Sequence, residues 1–248
     1  MSLNLCIDWG NTNVKAAIFA DDRIEKQILF SEESALEQVS QLLETYQPAK
    51  AILCSVVETS NEVADLLRSK IPATVMLTGH TNVPINNAYL SADTLGADRL
   101  AMVNAAHFAN PDKNNLVVSV GTCITYNLVQ KNKTFRGGAI SPGMHMRLKA
   151  MSTFTDKLPE VTTIEDEPLL LGYDTETCIQ SGAINGMAAE IDGMITAYKD
   201  RYPDFNAILT GGDAPYFATK LKSQIFADPN LLLKGLNLIL NHNVPLPR

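Results

Sequence analysis

Apolar residues lead into Cys6-Ile7 without alternation, which reads as a buried strand, and the strand ends on Asp8 and a Gly10-Asn11-Thr12 turn. Residues 14–19 predict a second strand, Asp21-Asp22 a turn, and residues 23–30 a third strand, so the chain opens as an antiparallel meander. Ser31 is placed to cap a helix whose apolar positions, Ala35, Leu36, Val39, Leu42, Leu43 and Tyr46, recur at helical spacing. Residues 51–57 are apolar throughout, as in a strand buried on both faces among parallel neighbours. Thr59 and Glu62 make a capping box for a short helix with Val63, Leu66 and Leu67 inward, and residues 74–77 predict another short buried strand. The order is β-β-β-α-β-α-β. A polar, irregular stretch over 79–94 then precedes a helix over 95–109 with Leu100, Val103, Ala106 and Phe108 inward.

Asn110-Pro111-Asp112-Lys113-Asn114 breaks that helix, and the pattern restarts, which divides the chain into domains 1–113 and 114–248. Residues 115–122 predict a buried strand ending in Gly121-Thr122, and Gly121 follows Gly10 by 121 − 10 = 111 residues. Strands over 124–130 and up to Ile140 follow, with a turn at Lys131-Asn132-Lys133 that echoes Asp21-Asp22 at about the same offset. Ala207-Ile208-Leu209 opens a strand and a helix-like segment as Ala51-Ile52-Leu53 does. Each half therefore carries the same plan, and two such halves closing on a nucleotide in an interdomain cleft is a physically sensible arrangement.

The other segments fit this plan. Ile140 to Gly143 turns into a helix with His145, Arg147, Leu148 and Met151, and residues 155–174 are loop-like. A long helix is expected over 175–201. Its Gly182, Gly186 and Gly193 lie near one stripe and want a packing reason, since each costs ~1 kcal/mol against Ala. Residues 229–241 predict a last helix with Leu232, Leu233, Leu236 and Leu240 inward.

Composition narrows the class. Of 248 residues, 46% are hydrophobic and 19% charged, as in a soluble globular protein. The net charge of 20 − 27 = −7 argues against a general nucleic-acid or membrane-surface binder. No apolar run reaches the roughly 18 residues of a membrane span. Cys6, Cys54, Cys123 and Cys178 form no Cys-x-x-Cys pair and the four histidines are scattered, so a structural zinc site is not expected and reduced thiols are. With no secretory segment, a cytoplasmic protein is predicted.

Three glycine-centred turns follow apolar strands: Asp8 to Thr12, Gly121 to Thr125, and Thr210-Gly211-Gly212-Asp213-Ala214. Glycine lets main-chain N–H groups converge on an anion, Asn11 and Thr12 add side-chain donors, and Asp8 can hold a divalent cation or its water. A hairpin with an Asx-type turn is the competing account of the first turn taken alone.

In this order the turns resemble the two phosphate motifs and the adenosine motif of the superfamily of acetate kinase, sugar kinases, heat-shock chaperones and actin. The whole chain resembles, within it, the type III pantothenate kinases. The family's Asp-x-Gly-Asn-Thr is met by Asp8 to Thr12. Its Tyr and Gly-x-Asp-Arg are met by Tyr89 and Gly96 to Arg99, and its Gly-Thr-x-x-Thr by Gly121 to Thr125. Its Gly-Gly-x-Ile-x-Pro-Gly is met by Gly137 to Gly143, its Gly-x-x-Thr and Ser-Gly by Gly172, Thr175 and Ser181-Gly182, and its Thr-Gly-Gly by Thr210 to Gly212.

The resemblance implies an α/β fold of duplicated ribonuclease H-like, actin-like ATPase domains and an ATP-dependent phosphorylation of pantothenate, in a homodimer. Asp98 is then the catalytic base. Tyr89, Gly96, Arg99, Gly138 and Thr175 contact pantothenate, with Arg99 gripping its carboxylate. Asp8, Gly10, Asn11, Thr12, Lys15, Gly121, Thr122, Thr125, Gly211 and Gly212 bind ATP, and Asp8 is associated with magnesium. Asn127 stands where the family usually has the Asp of a monovalent-cation site, so potassium or ammonium activation is expected to be weak or absent. Ala92 replaces a common Pro, with little consequence. A nucleotide-gated regulator on the same fold, or a kinase of another small alcohol, are the alternatives. The intact Asp98-Arg99 pair disfavours the first, and a Tyr and an Arg that suit an acid disfavour the second.

Overall fold

The computed structural model describes residues 2–55 and 61–245. Its strands are β1 (Leu3–Trp9), β2 (Val14–Ala20), β3 (Arg23–Phe30), β4 (Lys50–Ser55), β5 (Thr74–Leu77), β6 (Asn86–Asn87), β7 (Asn114–Val120), β8 (Cys123–Val129), β9 (Thr134–Pro142), β10 (Phe205–Thr210) and β11 (Phe226–Ala227). Its helices are α1 (Ala35–Tyr46), α2 (Asn61–Lys70), α3 (Ala97–Ala109), α4 (Met144–Thr153), α5 (Thr175–Gln180), α6 (Gly186–Arg201), α7 (Ala214–Ala218) and α8 (Leu231–Asn243). The expected strand residues 56 and 57 and the Thr59 half of the capping box lie outside the described residues. The chain forms two compact units, one of residues 1–111, 132–136 and 230–248, the other of 112–131 and 137–229.

In the first unit the sheet order is β3-β2-β1-β4-β5. β1 pairs antiparallel with β2 and parallel with β4, and β4 pairs parallel with β5. Period-two side-chain alternation explains the unbroken apolar runs, because each face of the sheet has its own core. Leu5, Ile7, Trp9, Val14, Ala16, Ala51 and Leu53 pack with α1 and α2, whereas Cys6, Ala17, Phe19, Ile52 and Cys54 pack with α3 and α8. Asn4 ties α8 to the sheet by donating from Nδ2 to Asn237 Oδ1 at 2.7 Å.

The second sheet repeats the arrangement. Its order is β11-β10-β7-β8-β9-β6, in which β7 pairs antiparallel with β8 and parallel with β10, and β10 pairs parallel with β11. The five strands from β7 on therefore adopt the same 3-2-1-4-5 order as β1 to β5. The short β6 joins through Asn86↔Thr134 and Asn87↔Phe135, a pairing inside the first unit. The core of the second unit gathers Leu116, Val118, Tyr126 and Leu209 from the sheet with Leu148, Ile184, Met187, Ile191 and Phe217 from the helical side.

Several local expectations are corrected. Ser31 precedes a 3₁₀ turn (Glu32–Ser34) and makes no side-chain cap bond, so α1 begins only at Ala35. Residues 79–94 are not wholly irregular: they hold β6 and a 3₁₀ turn, Ala92–Thr94. Helix α3 begins at Ala97 and is buried almost all round, including Asn104 and His107, while Phe108 is exposed. The long helix over 175–201 is broken by a π turn, Ser181–Asn185. A Cβ added at Gly182, Gly186 or Gly193 would meet nothing within 4 Å, so packing inside this chain does not explain the glycine stripe.

Candidate active site

The first unit brings its site residues to the end of its central strand. Asp8, the residue before the last of β1, lies in register with Lys15 on β2 and Cys54 on β4. Burial, then the charge of Asp98, push the Asp8 carboxyl up to about 7, while the Lys15 ammonium pulls the other way. Burial also raises Asp98, against the Arg99 N–H and guanidinium that favour its charged form. The Cys54 thiol is pushed well up by burial and by the charges of Asp8 and Asp98 together. Two poorly hydrated carboxylates thus share one neighbourhood, the condition under which perturbed acids mark functional sites. Gly10 donates its N–H to Asn13 O at 3.1 Å, and Asn11 and Thr12 are exposed at the turn. Gly10 does not use a positive φ, contrary to expectation; among the described glycines only Gly137 and Gly211 do.

Asp98 sits in the first turn of α3 because Gly96 makes room: a Cβ there would lie 2.6 Å from Asp98 Oδ1. Arg99 is buried and its guanidinium carbon lies 5.4 Å from the centroid of the Tyr89 ring, a cation–π contact. Tyr89 in turn stacks on Phe135, with centroids 6.1 Å apart and planes at 11°. The Tyr89 N–H donates to Asn87 Oδ1 at 3.3 Å, and Asn87 Nδ2 donates to Gly79 O at 3.0 Å. The loop folds tightly there, since a Cβ on Gly79 would come within 2.0 Å of Ala92 O. Phe135, fully buried, backs the Tyr89-Arg99 pair, and no spacing in the sequence points to it.

In the second unit three glycine segments converge at the end of β7. Gly211 has φ of 101°, and a Cβ on it would lie 2.2 Å from Val120 O. A Cβ on Gly143 would lie 1.9 Å from Gly121 O. Gly121 and Gly212 themselves have nothing within 4 Å of such a Cβ, so both leave space open beside their backbones. Thr122 is exposed and Thr125 half-buried on the same turn and strand. Gly138 is pressed on β8, where a Cβ would meet Tyr126 O at 1.7 Å. Asn127 is fully buried and donates from Nδ2 to the Thr125 hydroxyl at 2.9 Å. Thr175 is the exposed first residue of α5, but the cap is Asp174, which accepts from the Thr177 N–H at 2.9 Å.

The donor fits magnesium: Asp8 supplies a hard carboxylate oxygen, and this ion is held by one or two carboxylates with water and substrate phosphates. Among the described residues no group of three or more His, Cys, Asp or Glu side chains forms a metal cage. No helix of the described residues is long and apolar enough to cross a membrane.

Comparison with solved structures defines the class first. A Campylobacter jejuni protein described as a Baf family transcriptional activator superposes with a TM-score of 0.61 at 20% identity, covering 96% of this chain and 98% of that one. A glucokinase of the ROK family from Streptomyces griseus superposes with a TM-score of 0.55 at 11% identity, covering 97% and 99%. At such identities the likeness shows the fold alone: an α/β protein of the duplicated ribonuclease H-like type. The family model of type III pantothenate kinase matches residues 4–197. The type III pantothenate kinase of Bacteroides fragilis is 45% identical over 242 residues, 97% of this chain and 98% of that protein. The chain belongs to the type III pantothenate kinase family.

Proposed function

We infer that the protein transfers the γ-phosphoryl group of ATP to pantothenate, giving 4′-phosphopantothenate, the first step toward coenzyme A. The observation that carries this for the chain's own residues is the placement of Asp8, Asp98, Arg99 and Tyr89 in one unit, with Asp98 beside Asp8 and Arg99 beneath the Tyr89 ring. Asp98 is the base: it accepts the proton of the pantothenate hydroxyl as that oxygen bonds to the γ-phosphorus, and the bond from that phosphorus to the bridging oxygen of ADP breaks. Burial raises the proton affinity of Asp98 and so suits it to take that proton. Arg99, already ordered by Tyr89, pairs with the pantothenate carboxylate. Gly96, Gly138 and Thr175 complete that substrate's contacts.

Gly10, Asn11, Thr12 and Lys15 hold phosphate oxygens, Gly121, Thr122 and Thr125 hold others, and Gly211 and Gly212 admit the nucleoside. Asp8 holds magnesium or its water, and the ion when bound neutralises the phosphate charge. Asn127 occupies the place of a monovalent-cation ligand with an amide instead of a carboxylate. The protein works in the cytoplasm as a homodimer, on domains 1–113 and 114–248, with no nucleic-acid or membrane partner. A coupled ADP-release assay tests the activity, with pantothenate set against a panel of sugars and hydroxy acids. Pantothenate is expected to be the substrate turned over; faster turnover of a sugar overturns the assignment.

A further inference from the structure

A polar cluster in the second unit holds the end of the Gly137–Gly143 motif through side chains, Arg147, Glu190 and Tyr126, that belong to none of the motifs named above. Arg147 on α4 donates from Nε to Pro142 O at 2.8 Å and from Nη2 to Ser141 Oγ at 2.9 Å. The same Nη2 pairs with Glu190 Oε2 on α6. Glu190 Oε1 accepts the Tyr126 hydroxyl from β8 at 3.1 Å. Burial pushes Glu190 up, but hydrogen bonds from Arg147, Ser141 and Tyr126 hold its carboxyl below the ordinary range. Burial and the Glu190 charge raise the Tyr126 phenol, so it stays a donor. Four elements are therefore joined through one guanidinium and one carboxylate: Arg147 spreads its donors over Pro142 O, Ser141 Oγ and Glu190 Oε2, which fixes its orientation as one point charge would not.

What the cluster holds is specific. Arg147 grips the two residues immediately before Gly143. Gly143 lies directly on the Gly121-Thr122 turn, with its N–H donating to Thr122 O at 3.1 Å. The Arg147 N–H closes the unit on Gly143 O at 3.0 Å. The turn closes the β7–β8 hairpin, with the Gly121 N–H on Cys123 O at 3.1 Å, the Gly211 segment against Val120 and Gly143 against Gly121 O and Thr122 O. Gly143 is thus one support of that turn, and Arg147 fixes the two residues that lead into Gly143.

Building on the proposed kinase reaction, we propose that Arg147 and Glu190 are positioning residues for nucleotide binding: they clamp Ser141-Pro142-Gly143 against the Gly121-Thr122 turn and so hold that turn, with its exposed Thr122, in place for a phosphate. Neither side chain touches substrate. Their loss loosens the nucleotide first; Tyr89 and Arg99 lie in the other unit and keep their places, while Gly138, on the strand that runs into the clamped segment, feels the loss less directly.

The test is titration of magnesium-ATP into wild type, Arg147→Met, Arg147→Lys and Glu190→Gln by calorimetry, with KM for each substrate measured in parallel. Arg147→Met is expected to weaken ATP binding about tenfold, the scale of one lost charge-assisted clamp, with a clearly smaller rise in KM for pantothenate. Arg147→Lys keeps the charge but loses the fork, so it restores only part of the affinity. Glu190→Gln preserves the shape if Arg147→Met does not fold, and is expected to weaken ATP binding severalfold. Unchanged ATP affinity in the folded variants overturns the proposal, as does a KM for pantothenate that rises in step with that for ATP. Because ATP binding is read directly, wild type that binds ATP but ignores pantothenate overturns the proposed substrate and not the clamp.

Discussion

Asp98 and Asp8 ask opposite things of their protons. As the proposed base, Asp98 is to be ionised before transfer and protonated after it, so Asp98→Asn is expected to abolish turnover with the fold and ATP affinity intact. Residual activity above about one-hundredth of wild type in the ADP-release assay sinks the role, since general bases contribute roughly a hundredfold or more. Asp8 instead costs stability whenever it is charged without a cation. Its carboxyl binds a proton more tightly when folded, at about 7, than at its ordinary 3.8, so the folded state loses stability as pH rises through that window. In chelator-treated protein Asp8→Asn should therefore raise the unfolding free energy at pH 8, by roughly 2 kcal/mol after discounting for a half-buried group, and change little at pH 4. An equal effect at both pH values contradicts this. At Asn127 the amide, fully buried with its Nδ2 on the Thr125 hydroxyl, brings no charge to a cation. Initial rates are expected to vary little as potassium replaces a large organic cation at constant ionic strength; a steep rise refutes this.

Among the elements, the strands were legible because their patterning is local. β3 and β5 have the expected bounds, and β1, β2 and β4 read as unbroken apolar runs because alternate residues serve two cores. Helix α3 was less legible. Its alanine-rich sequence carries little amphipathic signal, and it is buried almost all round because α8, over a hundred residues later, packs on it. The π turn, Ser181–Asn185, was illegible for a similar reason. Its cause is tertiary: the Ser181 hydroxyl donates to Leu170 O at 2.7 Å and Asn185 Nδ2 to Leu169 O at 3.2 Å. The Arg147-Glu190 pair escaped notice because 43 residues separate its members. The α3–α8 crossing itself depends on Gly235, where a Cβ would lie 1.9 Å from Ala101 O and 2.5 Å from its carbonyl carbon. Backbone cannot step aside as a side chain can, so Gly235→Ala is expected to destabilise by about 1–3 kcal/mol. A urea midpoint unchanged from wild type refutes that account of the contact.

Over the whole molecule, the duplication was the most legible feature, since a common 111-residue offset and a repeated strand order reflect one plan used twice. A second copy of the chain is part of the proposed function, and the glycines of the broken helix are the surface it is expected to cover. Gly182, Gly186, Ala189 and Gly193 are all exposed and recur at helical spacing, which lets a second backbone approach closely. Beside the π turn, Leu170, Leu171 and Tyr173 are 86%, 72% and 81% exposed, more apolar surface than an isolated chain ordinarily leaves in one short loop. The proposed homodimer is expected to bury this face. Gly186→Glu would set a charge on the stripe, where no atom of its own chain crowds it, so the protomer should fold as before. In sedimentation at micromolar concentration wild type is expected at twice its 27.0 kDa and Gly186→Glu at the monomer mass. A wild type that sediments as a monomer, or a variant that stays dimeric, removes the stripe from the interface and leaves its glycines to be explained another way.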